Sequence, residues 1–211
     1  LAIVVLGLDS IKEIVLSLVI QRFFSKVRKD IFDIRAFWEY SLFCGAGSRV
    51  MARKMGYRLA GEAFVAGLMH DIGILILMEF FTEDFVKIIE KQKSDPRPFK
   101  ETEQQLLGAD HCEIGSWLAG KWNLPDRLCD AINNHHKTFS ELVSEEENPN
   151  GDNDEIKQPL TAIVSLSEWF AMELNYKNWS HETEQPTLYL ANEVLEDIQS
   201  DDLLQPDSAI E

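Results

Sequence analysis

Apolar residues recur along this chain with the period of an α-helix, and nowhere does a two-residue alternation persist. That regularity predicts an all-α fold, in which each helix buries one stripe against its neighbours. In residues 9–29, Ile11, Ile14, Val15, Leu18 and Val19 share a stripe, while Lys12, Arg22 and Lys26 lie off it. Asp9 or Ser10 suits the N-cap. Further helices are predicted over 34–56, 60–70, 74–93, 101–122, 126–137, 159–175 and 186–203. The two prolines of Ser94–Pro98 make a loop, and Pro125 is expected at the first position of its helix. Gly73 marks a break or a tight contact. The run Cys44-Gly-Ala-Gly-Ser48 holds two glycines, which weaken a helix, so it predicts a neighbouring helix at close approach. Trp38, Trp117, Trp122 and Trp169 are assigned to the core, with Ile114, Trp117, Leu118 and Trp122 at buried-stripe spacing.

Residues 140–158 are acidic and polar, with almost nothing to bury, and read as a loop. The expected organisation is one helical domain over residues 1–180, followed by a C-terminal helix and acidic tail over 181–211. The net charge of −16 repels phosphates and argues against nucleic acid as a general partner. Residues 1–60 carry 10 Lys and Arg against 5 Asp and Glu, and the remainder carries 10 against 31. Cys44, Cys112 and Cys129 are odd in number and scattered, which fits a reducing cytoplasm rather than a disulfide framework. The apolar opening, Leu1–Leu8, is too short to span a bilayer and lacks the basic start of a signal peptide.

Four of the five histidines fall in three short motifs: Gly67-Leu-Met-His-Asp-Ile-Gly73, Ala109-Asp-His-Cys-Glu-Ile-Gly115, and His135-His136. Imidazoles beside a carboxylate are the ligands that zinc, iron, nickel or manganese prefers. The chain therefore either holds a metal or descends from one that did. The bland alternative for His70-Asp71 is a buried hydrogen-bonded pair at a helix end. His135 and His136 point about 100° apart within a helix, so both could ligate only where the helix ends or bends. Cys112, adjacent to His111, is expected to point away from it, and His181 is expected on the surface.

The motifs Phe37-Trp-Glu-Tyr-Ser41, Ala66–Gly73, Asp110–Trp117, Trp122-Asn-Leu-Pro125 and Ala131–His136, in that order and spacing, resemble the HDOD domain. This is a branch of the HD-domain superfamily, near the HD-GYP phosphodiesterases. The resemblance reaches from residue 1 to about 175 and implies an HD-like helical bundle. It also implies a helical N-terminal subdomain preceding Ile3–Leu8, and hence an apolar patch on the first helices. In active HD-GYP enzymes the positions matching His70, Asp71, His111, His135, His136 and, with a change from Asp, Glu168 bind two or three metal ions. Asp71 would be the bridging carboxylate and the residue catalysis depends on.

The departures are concentrated. Tyr40 stands at the first ligand histidine, and a neutral phenol is a poor ligand for most divalent metals. Ala36 stands where some relatives have a carboxylate, and Ile74 where a lysine is common. After the histidine pair the chain runs Lys137-Thr-Phe-Ser140, without the acidic residue or the Gly-Tyr-Pro motif. Asp71, His111, His135 and His136 could still hold one divalent transition metal (Fe, Mn, Ni or Zn). The resemblance implies a non-catalytic regulatory module of bacterial signal transduction, relaying a state to a protein partner or an attached signalling domain. The alternative is a metal-dependent phosphohydrolase acting on a nucleotide or cyclic dinucleotide.

Overall fold

The computed structural model describes residues 32–94, 99–137, 142 and 158–174. The helices expected over 9–29 and 186–203, nearly all of the acidic segment, the patch on the first helices, the 180/181 boundary and His181 lie outside the described residues. Among those residues the elements are α1 (Ile34–Lys54), α2 (Ala60–Met69), α3 (Ile72–Phe80), α4 (Thr82–Ser94), α5 (Phe99–Leu107), α6 (His111–Lys121), α7 (Asp126–Asn134) and α8 (Pro159–Glu173). The described residues contain no strand, as the apolar spacing predicts.

Helix α1 packs against α2 and α8. Asp33 caps it by accepting from the backbone N–H groups of Arg35 and Ala36, at 3.0 and 3.1 Å. It runs along α2, and α8 packs on α1, α2 and α7. The glycines explain the closeness. A Cβ on Gly67 would lie 2.6 Å from the Cys44 carbonyl oxygen, one on Gly45 would lie 3.0 Å from that of Phe64, and one on Gly47 would meet the Ser167 hydroxyl. The predicted close approach thus serves two neighbours, α2 and α8. Phe37, Tyr40, Leu68, Ile72, Leu75, Phe85, Ile88, Phe99 and Ile132 build the larger apolar cluster. Ala52, Ala63, Ala66, Leu128, Ala131, Leu160, Ile163 and Val164 build a second one under α8. The apolar stretch Ala60–Phe80 is long enough to cross a membrane, but 78% of its most apolar window is buried inside this core.

Two predicted helices are each divided. The segment expected over 74–93 breaks at Phe81, where φ is −127° and ψ is 40°. Thr82, Glu83 and Asp84 then open α4, with two acidic groups at the positive end of its dipole. The segment expected over 101–122 breaks at Gly108, whose φ of +75° is left-handed. Asp110 and Glu113 then form a reciprocal capping box for α6. Pro125 is the N-cap of α7 rather than its first residue, and α7 ends at Asn134 rather than 137.

The tryptophans also require correction. Trp38 is buried, but Trp117 is 62% and Trp122 37% exposed, and Trp169 is only half-buried. Trp117 and Trp122 do share a face with Ile114 and Leu118. That face lines an open apolar cavity of about 970 Å³, together with Ile76, Phe80 and Leu107. Helical spacing identifies a common stripe, but it does not say whether the neighbour across from it fills the gap.

Candidate metal centre

Helices α2 and α3 are joined by only two residues, His70 and Asp71, so both side chains emerge at one corner of the bundle. Asp71 is the N-cap of α3, a position where aspartate ordinarily accepts from its own first turn. Here it makes no such bond. Its carboxylate turns inward instead, with Oδ2 3.3 Å from His70 Nε2 and Oδ1 3.4 Å from both His111 Nε2 and His135 Nε2. Gly73 lets α6 come near enough for this: a Cβ there would lie 1.9 Å from the His111 carbonyl oxygen.

Each imidazole is held from behind. His70 Nδ1 is 2.8 Å from the Gly67 carbonyl oxygen, and His135 Nδ1 is 2.7 Å from that of Ile132. A carbonyl only accepts, so both Nδ1 atoms carry a hydrogen and both Nε2 atoms face the cluster. His111 opens α6, and the buried Glu103 carboxylate accepts from its backbone N–H at 2.9 Å and contacts its Nδ1 at 2.6 Å. His135 and His136 follow the last residue of α7, and their ring centroids lie 4.2 Å apart. The helix end is therefore what lets neighbours in sequence face one cluster. Ser165 on α8 donates to the His135 carbonyl oxygen at 2.5 Å, tying the pair to the bundle. His136 Nε2 is 3.1 Å from His111 Nε2, and its Nδ1 is 3.9 Å from Glu168 Oε2.

The charge balance is unusual for so buried a place. Burial lowers the basicity of His135, yet the Cys112 thiol, Asp71 and Glu168 outweigh it and push its pKa up to about 10. Burial likewise opposes charge on His111, and Cys112 and Glu103 raise it well above the usual imidazole range. Burial raises Cys112, but the His111 and His135 rings bring its thiol below the ordinary value. The cluster thus attracts positive charge, which a divalent cation would supply in place of protons.

The donor spacing fits such a cation. Metal–nitrogen bonds of about 2.0–2.1 Å and metal–sulfur bonds of about 2.3 Å place tetrahedral donors about 3.3 Å apart for two nitrogens, and about 3.6 Å for nitrogen and sulfur. The donors of His111, Cys112, His135 and His136 all lie within 4.8 Å of one another, and so do those of His70, Asp71 and His135.

All six residues singled out from the sequence converge here, including Glu168, which is buried on α8. Tyr40, expected at the position of a ligand histidine in related enzymes, joins them through hydrogen bonds. Its hydroxyl donates to Glu168 Oε1 at 3.1 Å and lies 3.1 Å from His70 Nε2. The expectation for Cys112 is wrong: its Sγ is 3.4 Å from His111 Nε2 and 4.0 Å from His135 Nε2. Adjacent Cβ atoms do diverge, but the imidazole is long enough to bring Nε2 back within reach. Glu103 was not foreseen. Its signal is its place four residues after Phe99 on a mostly polar helix, the only carboxylate on that helix's buried face.

The HDOD domain signature matches residues 1–138. The chain belongs to the HDOD family. Among solved structures, an HDOD domain protein of unknown function from Geobacter sulfurreducens superposes with a TM-score of 0.71 at 23% identity, covering 88% of this chain and 58% of that one. A protein from Shewanella amazonensis described as a candidate phosphohydrolase gives 0.68 at 23%, covering 82% and 58%. One from Marinobacter aquaeolei described as a candidate signal transduction protein gives 0.63 at 19%, covering 91% and 41%. These likenesses establish the HDOD-type helical fold. An uncharacterised protein of Treponema pallidum is 27% identical over 100 residues, 47% of this chain and 20% of that relative. The chain therefore spans only part of the length of each of these relatives.

Proposed function

We propose that this HDOD domain is a non-catalytic signalling module that holds one divalent transition metal at the His111–His135–His136 end of the cluster. In this reading it relays a change of state to an attached signalling domain or a protein partner. The observation that carries the reading is Tyr40. A two-metal phosphodiesterase clamp needs ligands for both ions, and at the position of the first ligand histidine a phenol is engaged with His70 and Glu168. The remaining end retains its imidazoles, with their Nε2 atoms turned to a common point. An ion there would draw α6 and α7 together, because His111 opens the first and His135 and His136 follow the second. Coupling to a partner then requires that the ion favour one packing of these helices over another.

The second reading is a single-metal phosphohydrolase acting on a nucleotide or cyclic dinucleotide. It is favoured by Asp71, whose carboxylate lies between His70, His111 and His135 as a bridging ligand would. A bound metal would supply phosphoryl polarisation and an acidified water. Elemental analysis of protein purified without added metal tests the shared premise, with near one equivalent of transition metal expected. A screen over nucleotides, cyclic dinucleotides and phosphodiesters then separates the readings. Turnover abolished by Asp71→Ala would overturn the non-catalytic assignment.

A further inference from the structure

The geometry points to Cys112 as a direct thiolate ligand, making the centre a three-imidazole, one-sulfur site that suits zinc and selects against manganese or magnesium. The inference rests on the metal reading above and narrows which ion that site takes. Cys112 is buried, and its Sγ faces two of the imidazoles from the first turn of α6 at 3.4 and 4.0 Å. Those lengths bracket the edge of about 3.6 Å that nitrogen and sulfur span around one tetrahedral ion. The four donors His111, Cys112, His135 and His136 form a closed set within 4.8 Å of one another. Nitrogen and sulfur around four-coordinate zinc are its ordinary structural environment, whereas manganese and magnesium favour oxygen. A closed set of four leaves no open position for substrate or water, so the same ligand that suits the site to zinc also blocks hydrolysis.

Cobalt(II), added alone to the metal-free full chain, is the probe. A sulfur ligand gives an intense near-ultraviolet thiolate-to-cobalt charge-transfer band and strong visible bands of a four-coordinate ion. Both are expected here, and Cys112→Ser is expected to lose the charge-transfer band, keep weaker binding through the imidazoles, and bind zinc at least roughly tenfold less tightly. Zinc-edge X-ray absorption of the unmodified protein needs no variant and should resolve a sulfur neighbour at about 2.3 Å. Cobalt bound without the charge-transfer band, or a zinc shell of only nitrogen and oxygen, overturns the thiolate while leaving the metal reading intact. Failure to bind either ion overturns both.

Discussion

Replacing Gly73 by alanine tests whether the approach of α6 to α3 builds the cluster. The added Cβ would lie 1.9 Å from the His111 carbonyl oxygen, 2.7 Å from its carbonyl carbon and 2.9 Å from its Cα. All three are backbone atoms of a helix start, so no side chain can rotate aside. Reaching even 3.0 Å, the floor for real Cβ contacts, requires the two helix ends to part by about 1 Å. Asp71 precedes Gly73 by two residues, and its carboxylate now sits 3.4 Å from His111 Nε2, so that separation opens as well. Overpacking costs ~1–3 kcal/mol, of which the better helix propensity of alanine recovers at most ~1. A net loss of ~2 kcal/mol lowers Tm by roughly 4–8 °C in a domain of this size. Zinc affinity, measured by competition with a chromophoric chelator, should fall about tenfold or more. Gly120→Ala is the matched control: it is helical, a Cβ there meets nothing within 4 Å, and it should gain ~0.5–1 kcal/mol. Gly73→Ala melting at or above the parent, with unchanged zinc affinity, would refute the claim that this contact positions the site.

Glu103→Gln keeps the shape but removes the charge behind His111, and zinc affinity should fall roughly 10–100-fold with the fold intact by circular dichroism. Tyr40→Phe takes a donor from the buried Glu168 carboxylate and should cost ~1–3 kcal/mol in denaturant unfolding. The metal-free protein should lose stability as pH rises, read as Tm across a pH series. His135 has a folded-state pKa of about 10 against an ordinary 6.5, so its contribution is complete below about 6.5 and disappears as pH climbs through about 10. Zinc should reverse that trend over the same range, because loading displaces the imidazole proton and becomes easier as pH rises.

The all-α class, most helix positions and the six convergent side chains were legible in the sequence because each follows from a local rule or a motif. Helical spacing assigns stripes, His-Asp and His-His mark the cluster, and the glycine run predicts close packing. What the sequence concealed depends on tertiary surroundings. The segment read as one helix over 101–122 contains the capping sequence Asp110-His-Cys-Glu113, and the left-handed Gly108 makes the break plain. Trp117 has the spacing of a core residue but faces an open cavity and stays 62% exposed. The direction of Cys112 turns on how far an imidazole reaches, a length that residue periodicity does not encode.

The two ends of the cluster differ in what balances their charge, and Tyr40 makes the difference. His70 Nδ1 gives its hydrogen to the Gly67 carbonyl. The phenol has one hydrogen, and it goes to Glu168 Oε1. The phenol oxygen also lies 3.1 Å from His70 Nε2. Tyr40 thus ties ring and carboxylate together through one hydroxyl. A phenol there offers a hydrogen where an imidazole would offer a lone pair to an ion. Tyr40 therefore leaves α1, α2 and α8 joined by hydrogen bonds that need no metal. At the other end three Nε2 atoms and a sulfur converge without any hydroxyl among them, and there a cation is the natural counter-charge. In the reading proposed above, one end closed by hydrogen bonds and the other suited to a single ion holds helices together rather than clamping a phosphodiester between two metals.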